Sequence, residues 1–350
     1  MVKPPKREAP KAETPNAARN LILRWILPAA LAAVLLYMAL RGVAWGRVWS
    51  AIAGAHVEFL IAGALIICCS SFLRALRWRL LLNAEARFDV MTVFWATMAG
   101  YLGNAFLPAR AGELVRTFAI SSRSHLTRTY VLTTALAERM MDAIALVLWS
   151  SFILMSVHPK PPWLDHASRT AAIFAGAGLL AVIVLPHTGN LCEAVIVRLP
   201  LPGGLRKILL HTAQQVVTGL KVFHDVKRFA GFTAFTVMIW CADAFSVAIS
   251  ARALDLQLPF SVAALLLCGL GLGSAVPSTP GYVGIYQFVT ESVLMPFGVS
   301  KDAAIAYSLL SQAMSYAVIL AFGLPGIYRF KDWRTAVKKP EPDLRDTPAN

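Results

Sequence analysis

The stretch NAFLPARAGELVR, residues 104–116, interrupts an apolar run that is typical of a membrane helix. Its charged side chains, Arg110, Glu113 and Arg116, directly follow the apolar residues 93–107. Charged groups inside a membrane segment are energetically costly and tend to be functional. The fold therefore depends on whether this stretch disrupts a single helix or forms the turn of a hairpin.

The composition is that of an integral membrane protein. Of the 350 residues, 57% are hydrophobic and 15% are charged, and the mean hydropathy is +0.60. Soluble chains are only about 45–50% apolar. The net charge of +14 comes from basic residues in short loops between apolar runs, where the positive-inside rule explains them. A nucleic-acid-binding surface would instead require a basic face on a soluble fold, so no nucleic-acid partner is predicted.

The five cysteines predict no metal site and no disulfide framework, because none of them forms a C-x-x-C pair and no histidine cluster accompanies them. No cofactor is predicted either. The chain is not expected to be an enzyme.

Apolar runs of about 17–25 residues are long enough to cross a bilayer as helices. Two further apolar stretches, 91–121 and 260–297, are each interrupted by prolines and glycines. The sequence therefore predicts an all-α polytopic membrane protein with about six full transmembrane helices and two re-entrant broken-helix hairpins. The six predicted spans lie near 24–41, 57–73, 130–156, 171–187, 229–250 and 303–327.

The distribution of basic residues supports this topology. If both broken stretches return to the side from which they enter, 26 basic residues lie on the cytoplasmic side and 6 lie outside. Both termini are then cytoplasmic, and we expect a multi-pass protein of the cell inner (plasma) membrane. A basic tail at 1–23 and a polar tail at 329–350 flank a transmembrane domain at 24–328.

The two broken stretches also resemble each other. Gly100, Pro108 and Gly112 in the first are matched by Gly269, Pro277 and Gly281 in the second, each at an offset of 169 residues. Three crossings in each half place the second copy upside down. The sequence therefore predicts inverted repeats at about 24–156 and 171–327, an architecture common in secondary transporters.

Charged residues at membrane depth are the first candidates for a site. Arg110 and Arg116 flank the first break, and guanidinium groups bind phosphate bidentately, which favours an anionic headgroup as the ligand. Arg116 has an alternative role as a cytoplasmic boundary residue. The other candidates are Glu113 in the hairpin, Glu138, Arg139 and Asp142 in the third span, Asp243 in the fifth span, and Glu291.

Two interpretations of the third span remain open. Its acidic groups, Glu138 and Asp142, balance a bound charge or take up a proton in the first interpretation. In the second, Arg139 and Asp142 only neutralise each other or a hairpin charge, because residues three apart on a helix easily pair.

The second break, PSTPGYVGIYQF, carries polar side chains without a cation. Thr279, Tyr282 and Gln287 are candidates for hydrogen bonds to a substrate. The alternative is a tight packing turn whose polar groups satisfy one another. The residues expected to form the two hairpin breaks are Pro108, Gly112, Pro277, Pro280, Gly281 and Gly284.

The second span ends in the basic sequence RALRWR, which contains Arg74, Arg77, Trp78 and Arg79. Basic and aromatic side chains are typical of the boundary between a membrane span and the cytoplasm. Recruitment of lipid phosphate is the alternative.

These motifs, RALRWRLLL, NAFLPARAGELVR, ALAERMMD and VPSTPGYVGIYQF, occur in an order that resembles the lysylphosphatidylglycerol synthase transmembrane-region family, also called flippase-like membrane proteins. The resemblance covers about 24–330. It implies movement of lipids between membrane leaflets, with the residues of these motifs around the pathway. Only about 20 polar residues follow Tyr328, so we expect this chain to lack the soluble synthase domain of the bifunctional members.

The sequence thus predicts a flippase or scramblase for an anionic or modified lipid. Its partners are membrane lipids, and lipid-synthesis enzymes are candidate protein partners. One alternative is an integral membrane transferase that acts on lipid-linked substrates. The other is a non-transporting partner of a lipid or envelope synthesis complex.

Overall fold

The computed structural model describes residues 29–107, 111–156, 225–275 and 280–331, together with isolated positions between 173 and 210. Within these ranges the chain is helical and contains no strand, which confirms the predicted all-α class. Its helices are α1 Ala29–Leu40, α2 Trp45–Ala53, α3 Val57–Leu82, α4 Val90–Phe106, α5 Gly112–Ser121, α6 Arg128–Ser156, α7 Val226–Ala251, α8 Phe260–Ala275, α9 Ile285–Leu294 and α10 Lys301–Arg329.

Three of the described helices are long and apolar enough to cross a membrane, namely α3, α7 with the short turn after it, and α10. They occupy the spans predicted near 57–73, 229–250 and 303–327. Helix α6 occupies the span predicted near 130–156 and has 29 residues, but it carries charged side chains in its middle. The span predicted near 171–187 lies outside the described residues.

The described part of the first predicted span, 24–41, begins at Ala29 and forms α1, and the chain continues into α2, which is bent by 85° from α1. The chain turns at Gly42, whose φ of +77° lies in the left-handed region that favours glycine. Asp302 of α10 holds the bend, because it accepts the backbone N–H of Ala44 at 2.9 Å and Nε of Arg47 at 2.6 Å. The first apolar run is therefore a bent pair of helices.

The first broken stretch is a helical hairpin. Helix α5 folds back on α4, and the backbones meet so closely that a Cβ atom on Gly103 would lie 2.8 Å from Cα of Gly112. The N–H of Gly112 donates to Oδ1 of Asn104 at 2.9 Å, which ties the start of α5 to the end of α4. The helix thus breaks where the sequence predicts. Pro108 lies outside the described residues.

The second broken stretch is also a helical hairpin, formed by α8 and α9. Gly281 and Gly284 adopt φ values of +78° and +92°, which a residue with a side chain rarely adopts. A Cβ atom on Gly273 would lie 2.8 Å from Cγ2 of Ile285, so α9 packs closely on α8. Pro280 begins a short turn before α9. Pro277 lies outside the described residues.

The helices on the two sides of the chain's middle match in length and order. Helices α3 and α7 each have 26 residues, and α4 and α8 have 17 and 16. Helices α5 and α9 each have 10, and α6 and α10 each have 29. The break between α8 and α9 is longer than the break between α4 and α5. Gly112 is therefore the first residue of α5, whereas Gly281 lies before the start of α9.

Helices from both halves pack against each other. Helix α3 packs along α7, and α10 packs along α4. A buried aromatic and aliphatic cluster that includes Trp78, Phe94 and Ile120 joins α3, α4 and α5. This packing brings polar residues of α3, α6, α7 and α10 to one interior space.

Candidate functional site

A polar cavity of about 520 Å³ lies between the two halves of the chain. Charged side chains from three helices line it, with hydroxyl and amide groups from α10 on another side. A second cavity of about 260 Å³ shares part of this wall and is lined by residues of both hairpins. Residues that line both are Tyr101, Arg139, Ser274, Tyr286, Gln312, Ser315 and Ile319.

Glu138 lies at the centre of a buried ion-pair network behind this cavity. Its carboxylate accepts Nη2 of Arg77 at 2.9 Å and Nη1 of Arg116 at 2.7 Å. All three side chains are at most 2% exposed. Unpaired charges would be very costly at such depth. Glu138 balances only one of the two arginines, and the remaining charge is met by Asp142, which pairs with Arg77, and by Glu113, which pairs with Arg116.

Arg77 also bonds to two other helices. It donates to both carboxylate oxygens of Asp142, at 2.6 and 3.0 Å, and to Oγ1 of Thr236 at 3.0 Å. Its guanidinium lies over the ring of Phe232, 4.8 Å from the centroid. The side chain therefore joins α3, α6 and α7 through one group.

Arg116 is fully committed to protein contacts. In addition to its bond with Glu138, Arg116 forms an ion pair with Glu113. Its Nε lies 2.5 Å from Oε2 of Glu113, without hydrogen-bond geometry. Its Nη2 donates to the carbonyl of Ala135, and its guanidinium lies 4.5 Å from the ring centroid of Trp78. Arg116 consequently does not line either polar cavity.

Arg139 faces the cavities and holds the first hairpin. Its Nε donates to Oε1 of Glu113 at 2.8 Å, and its Nη1 lies 3.5 Å from Asp142. Glu113 is in the first turn of α5, where a negative charge is favoured by the helix dipole. The side chain of Arg139 is 32% exposed, far more than those of Arg77 and Arg116.

A further ion pair joins the two halves directly. Arg74 of α3 pairs with Asp243 of α7, and Ser70 donates to the same carboxylate at 2.5 Å. Both charged groups line the larger cavity. In the described network, the arginines Arg74, Arg77, Arg116 and Arg139 are balanced by the carboxylates Glu113, Glu138, Asp142 and Asp243.

The second hairpin is held by an ion pair at 2.8 Å between Glu291 and Lys301 of α10, and by amide groups at its break. Gln287, which is buried, accepts the N–H of Gly284 at 2.7 Å and donates to Gln312 at 2.8 Å. Gln312 in turn donates to the carbonyl of Gly281 at 2.6 Å. Tyr282 lies in the smaller cavity and stacks on Tyr286, with centroids 5.2 Å apart. The predicted polar residues here therefore satisfy part of the break's own backbone.

The structure brings most predicted site residues together: Glu113, Arg116, Glu138, Arg139 and Asp142 form one network, while Tyr282 and Gln287 lie at the second break. Arg110 and Thr279 lie outside the described residues. The ion pairs of Arg139 with Asp142 and with the hairpin residue Glu113 are those of the second interpretation of the third span. Balance of a bound charge or uptake of a proton by Glu138 and Asp142 stays a prediction.

The boundary interpretation of RALRWR is wrong for its central residues. Arg77 and Trp78 are completely buried, and Arg74 faces the cavity. Sequence reasoning missed them because basic and aromatic residues near a helix end are also typical of a membrane boundary. The sequence does contain a pattern that points to Arg74. Asp243 follows it by 169 residues, which is the offset that relates the two helix breaks.

These features define a class of protein: a polytopic helical membrane protein with a charged, polar interior. The family model of the lysylphosphatidylglycerol synthase TM region matches residues 25–323. The chain belongs to this family, as its motifs predict.

Two relatives of this chain are distant in sequence. UPF0104 membrane protein PH1989 of Pyrococcus horikoshii is 21% identical over 293 residues, which cover 77% of this chain and 86% of that protein. Glycosyltransferase AglD of Haloferax volcanii is 22% identical over 335 residues, which cover 86% of this chain and 53% of AglD. The chain thus spans about half the length of AglD. No solved structure matches the chain.

Proposed function

We propose that this protein moves lipids between the two leaflets of a membrane, as a flippase or scramblase for an anionic or modified lipid. The observation that carries the proposal is the polar cavity of about 520 Å³ between helices that are otherwise apolar. A headgroup that crosses the bilayer needs polar partners at membrane depth, while its acyl chains remain in lipid. The cavity offers such partners from both halves of the chain.

Arg139 and Arg74 are the groups proposed to hold the headgroup phosphate, because both line the cavity. Each is already paired, Arg139 with Glu113 and Arg74 with Asp243. An entering phosphate competes with these carboxylates for the guanidinium groups, which bind both kinds of anion bidentately. The network is neutral without a ligand, so binding of an anion proceeds by exchange of partners.

Arg116 has a supporting part in this proposal. Its guanidinium is enclosed by Glu138, Glu113 and the ring of Trp78. It fixes the position of Glu113, which in turn holds Arg139. Direct contact of Arg110 and Thr279 with the headgroup remains a prediction.

We further propose that the chain consists of two inverted repeats with six spans and two re-entrant hairpins, and that both termini are cytoplasmic. The matched helix lengths support the repeats, and the distribution of basic residues supports the cytoplasmic termini. Counted from the helix starts, the charged residues in the middle of α6 correspond to neutral polar residues of α10. Glu138, Arg139 and Asp142 correspond in this way to Ser311, Gln312 and Ser315.

The two repeats then share an order of helices but differ in the polar groups that hold their hairpins. Arg139 holds the first hairpin through Glu113, and its counterpart Gln312 holds the second through Gln287. At the hairpins, the first repeat therefore uses charged groups where the second uses amide groups, while Asp243 of the second repeat also brings a charge to the cavity.

The second candidate function is transfer chemistry on a lipid-linked substrate. The name of the relative AglD, a glycosyltransferase, favours it. Glu138 and Asp142 are the nearest approximation to a metal-binding acidic pair, but both accept hydrogen bonds from Arg77. A divalent cation would have to displace that arginine. Purified protein that forms a metal-dependent product would support this candidate.

The proposal is tested by reconstituting the purified protein into vesicles that contain fluorescent phosphatidylglycerol. A membrane-impermeant reductant destroys the fluorescence of the outer leaflet only. We expect lipid from the inner leaflet to become accessible in vesicles with protein and to remain protected in vesicles without it. Equal protection in both, across anionic and aminated headgroups, would contradict translocation and favour a non-transporting partner of a synthesis complex.

A further inference from the structure

An apolar groove runs along the outside of the protein between α3 and α10. It has a volume of about 500 Å³ and is separate from the polar cavities described above. Its lining is almost entirely carbon, with Leu60 and Ala64 on α3 and Ala313, Ala317 and Phe322 on α10. A groove of this chemistry suits a hydrocarbon chain.

The linings of the groove and of the polar cavity have one residue in common. Met314 lines both spaces. It fits against α3 because residue 63 is glycine: a Cβ atom there would lie 3.2 Å from Sδ of Met314 and 3.3 Å from Cβ of Ser250. Methionine is unbranched and flexible, so it can change rotamer without a movement of the helices.

Helix α10 presents two different faces on either side of this methionine. Ser311 and Ser315 line the polar cavity, while Ala313 and Ala317 line the apolar groove. A phospholipid likewise has a polar headgroup at one end and apolar acyl chains at the other. Small residues on the groove face leave room for a chain beside the helix.

We propose that the groove between α3 and α10 binds an acyl chain of a phospholipid whose headgroup enters the polar cavity past Met314. The groove and the methionine together form a lateral portal. This inference rests on the proposed lipid translocation and adds where the lipid enters. The commitment to an acyl chain follows from the apolar lining and from the continuity of the groove with the cavity at Met314.

Binding of the acyl chain in the groove is tested without a transport measurement. Full-length protein is reconstituted with phosphatidylglycerol that carries a photoreactive group in its acyl chain, and the labelled residues are identified by mass spectrometry. We expect labelling concentrated on groove residues of α3 and α10. Ala317→Phe fills the groove and should reduce that labelling several-fold. Ala234→Phe, at an exposed alanine of α7 outside the groove, should leave it unchanged.

The portal is tested in the fluorescent-lipid assay with the same variants. Ala317→Phe should slow translocation several-fold and Met314→Ala should accelerate it, while Ala234→Phe keeps the wild-type rate. Elution as a single symmetrical peak in detergent verifies that each variant is folded. Because the two variants act in opposite directions, a general loss of folding does not produce the expected pattern.

The outcomes separate this inference from the proposed function. Labelling concentrated on the groove, without translocation by the wild type, would overturn the transport proposal and leave the chain-binding site standing. Translocation with labelling spread evenly over all lipid-facing residues would overturn the portal and leave transport standing. A wild-type rate in both Ala317→Phe and Met314→Ala would also overturn the portal.

Discussion

Substitution of Glu138 by alanine should lower the free energy of unfolding by about 3–5 kcal/mol, because it leaves two buried cations without their shared partner. Arg77 and Arg116 both bond to this carboxylate, and each is at most 1% exposed. Because both guanidinium groups are buried, bulk solvent does not reach them to replace the lost carboxylate. The effect is measured as the change in denaturant or thermal unfolding of the purified protein in detergent.

The matched control for this substitution is Glu58→Ala. Glu58 also has a partner that can carry a positive charge, since Oε1 lies 3.4 Å from Nδ1 of His56, but its side chain is 68% exposed. Surface pairs contribute about 0–1 kcal/mol, so this variant should unfold almost like the wild type. If Glu138→Ala and Glu58→Ala unfolded alike, the buried network would not stabilise the fold in the way proposed.

Substitution of Arg139 by glutamine should slow lipid translocation about 10- to 100-fold while the protein remains folded. Arg139 lines both cavities and donates to Glu113. Loss of a charge-assisted hydrogen bond to a bound phosphate costs about 1.5–3 kcal/mol, and each 1.4 kcal/mol is about a tenfold change in affinity. The fluorescent-lipid assay measures this rate directly.

Arg87→Gln provides the control for this second prediction. Arg87 is an exposed arginine in the loop between α3 and α4, far from the cavity lining. The same loss of charge there should leave the rate unchanged. Equal rates in Arg139→Gln and the wild type would contradict the role of Arg139 in headgroup binding.

The two helix breaks could be predicted from the sequence because their cause is local. A proline and glycines that lie close together favour a turn over a continuous helix, and the apolar residues on either side give the helices. The close approach of Gly103 to Gly112 and the positive φ angles of Gly281 and Gly284 are the structural counterpart of that pattern. The sequence could not predict the bend between α1 and α2, because it is held by Asp302, which is distant in the chain.

The partners in the charge network could be predicted only in part. Glu113, Glu138, Arg139 and Asp142 are recognisable as charges in apolar surroundings, which the sequence displays directly. The place of Arg77 was not predictable, because α3 gives no sign that its last turns are covered by α6 and α7. The packing of α6 and α7 against α3 buries Arg77, whose residue type is otherwise typical of a membrane boundary.

Reversible blockage of the polar cavity shows whether lipid headgroups pass through it. Ser315 lines both cavities, so Ser315→Cys, in a protein whose own five cysteines are replaced, accepts a bulky reagent through a reducible disulfide. Ser50→Cys, at an exposed position of α2, is the control. We predict that labelling stops translocation only in Ser315→Cys and that reduction restores it. Translocation at the unlabelled rate with Ser315→Cys fully labelled would contradict the account.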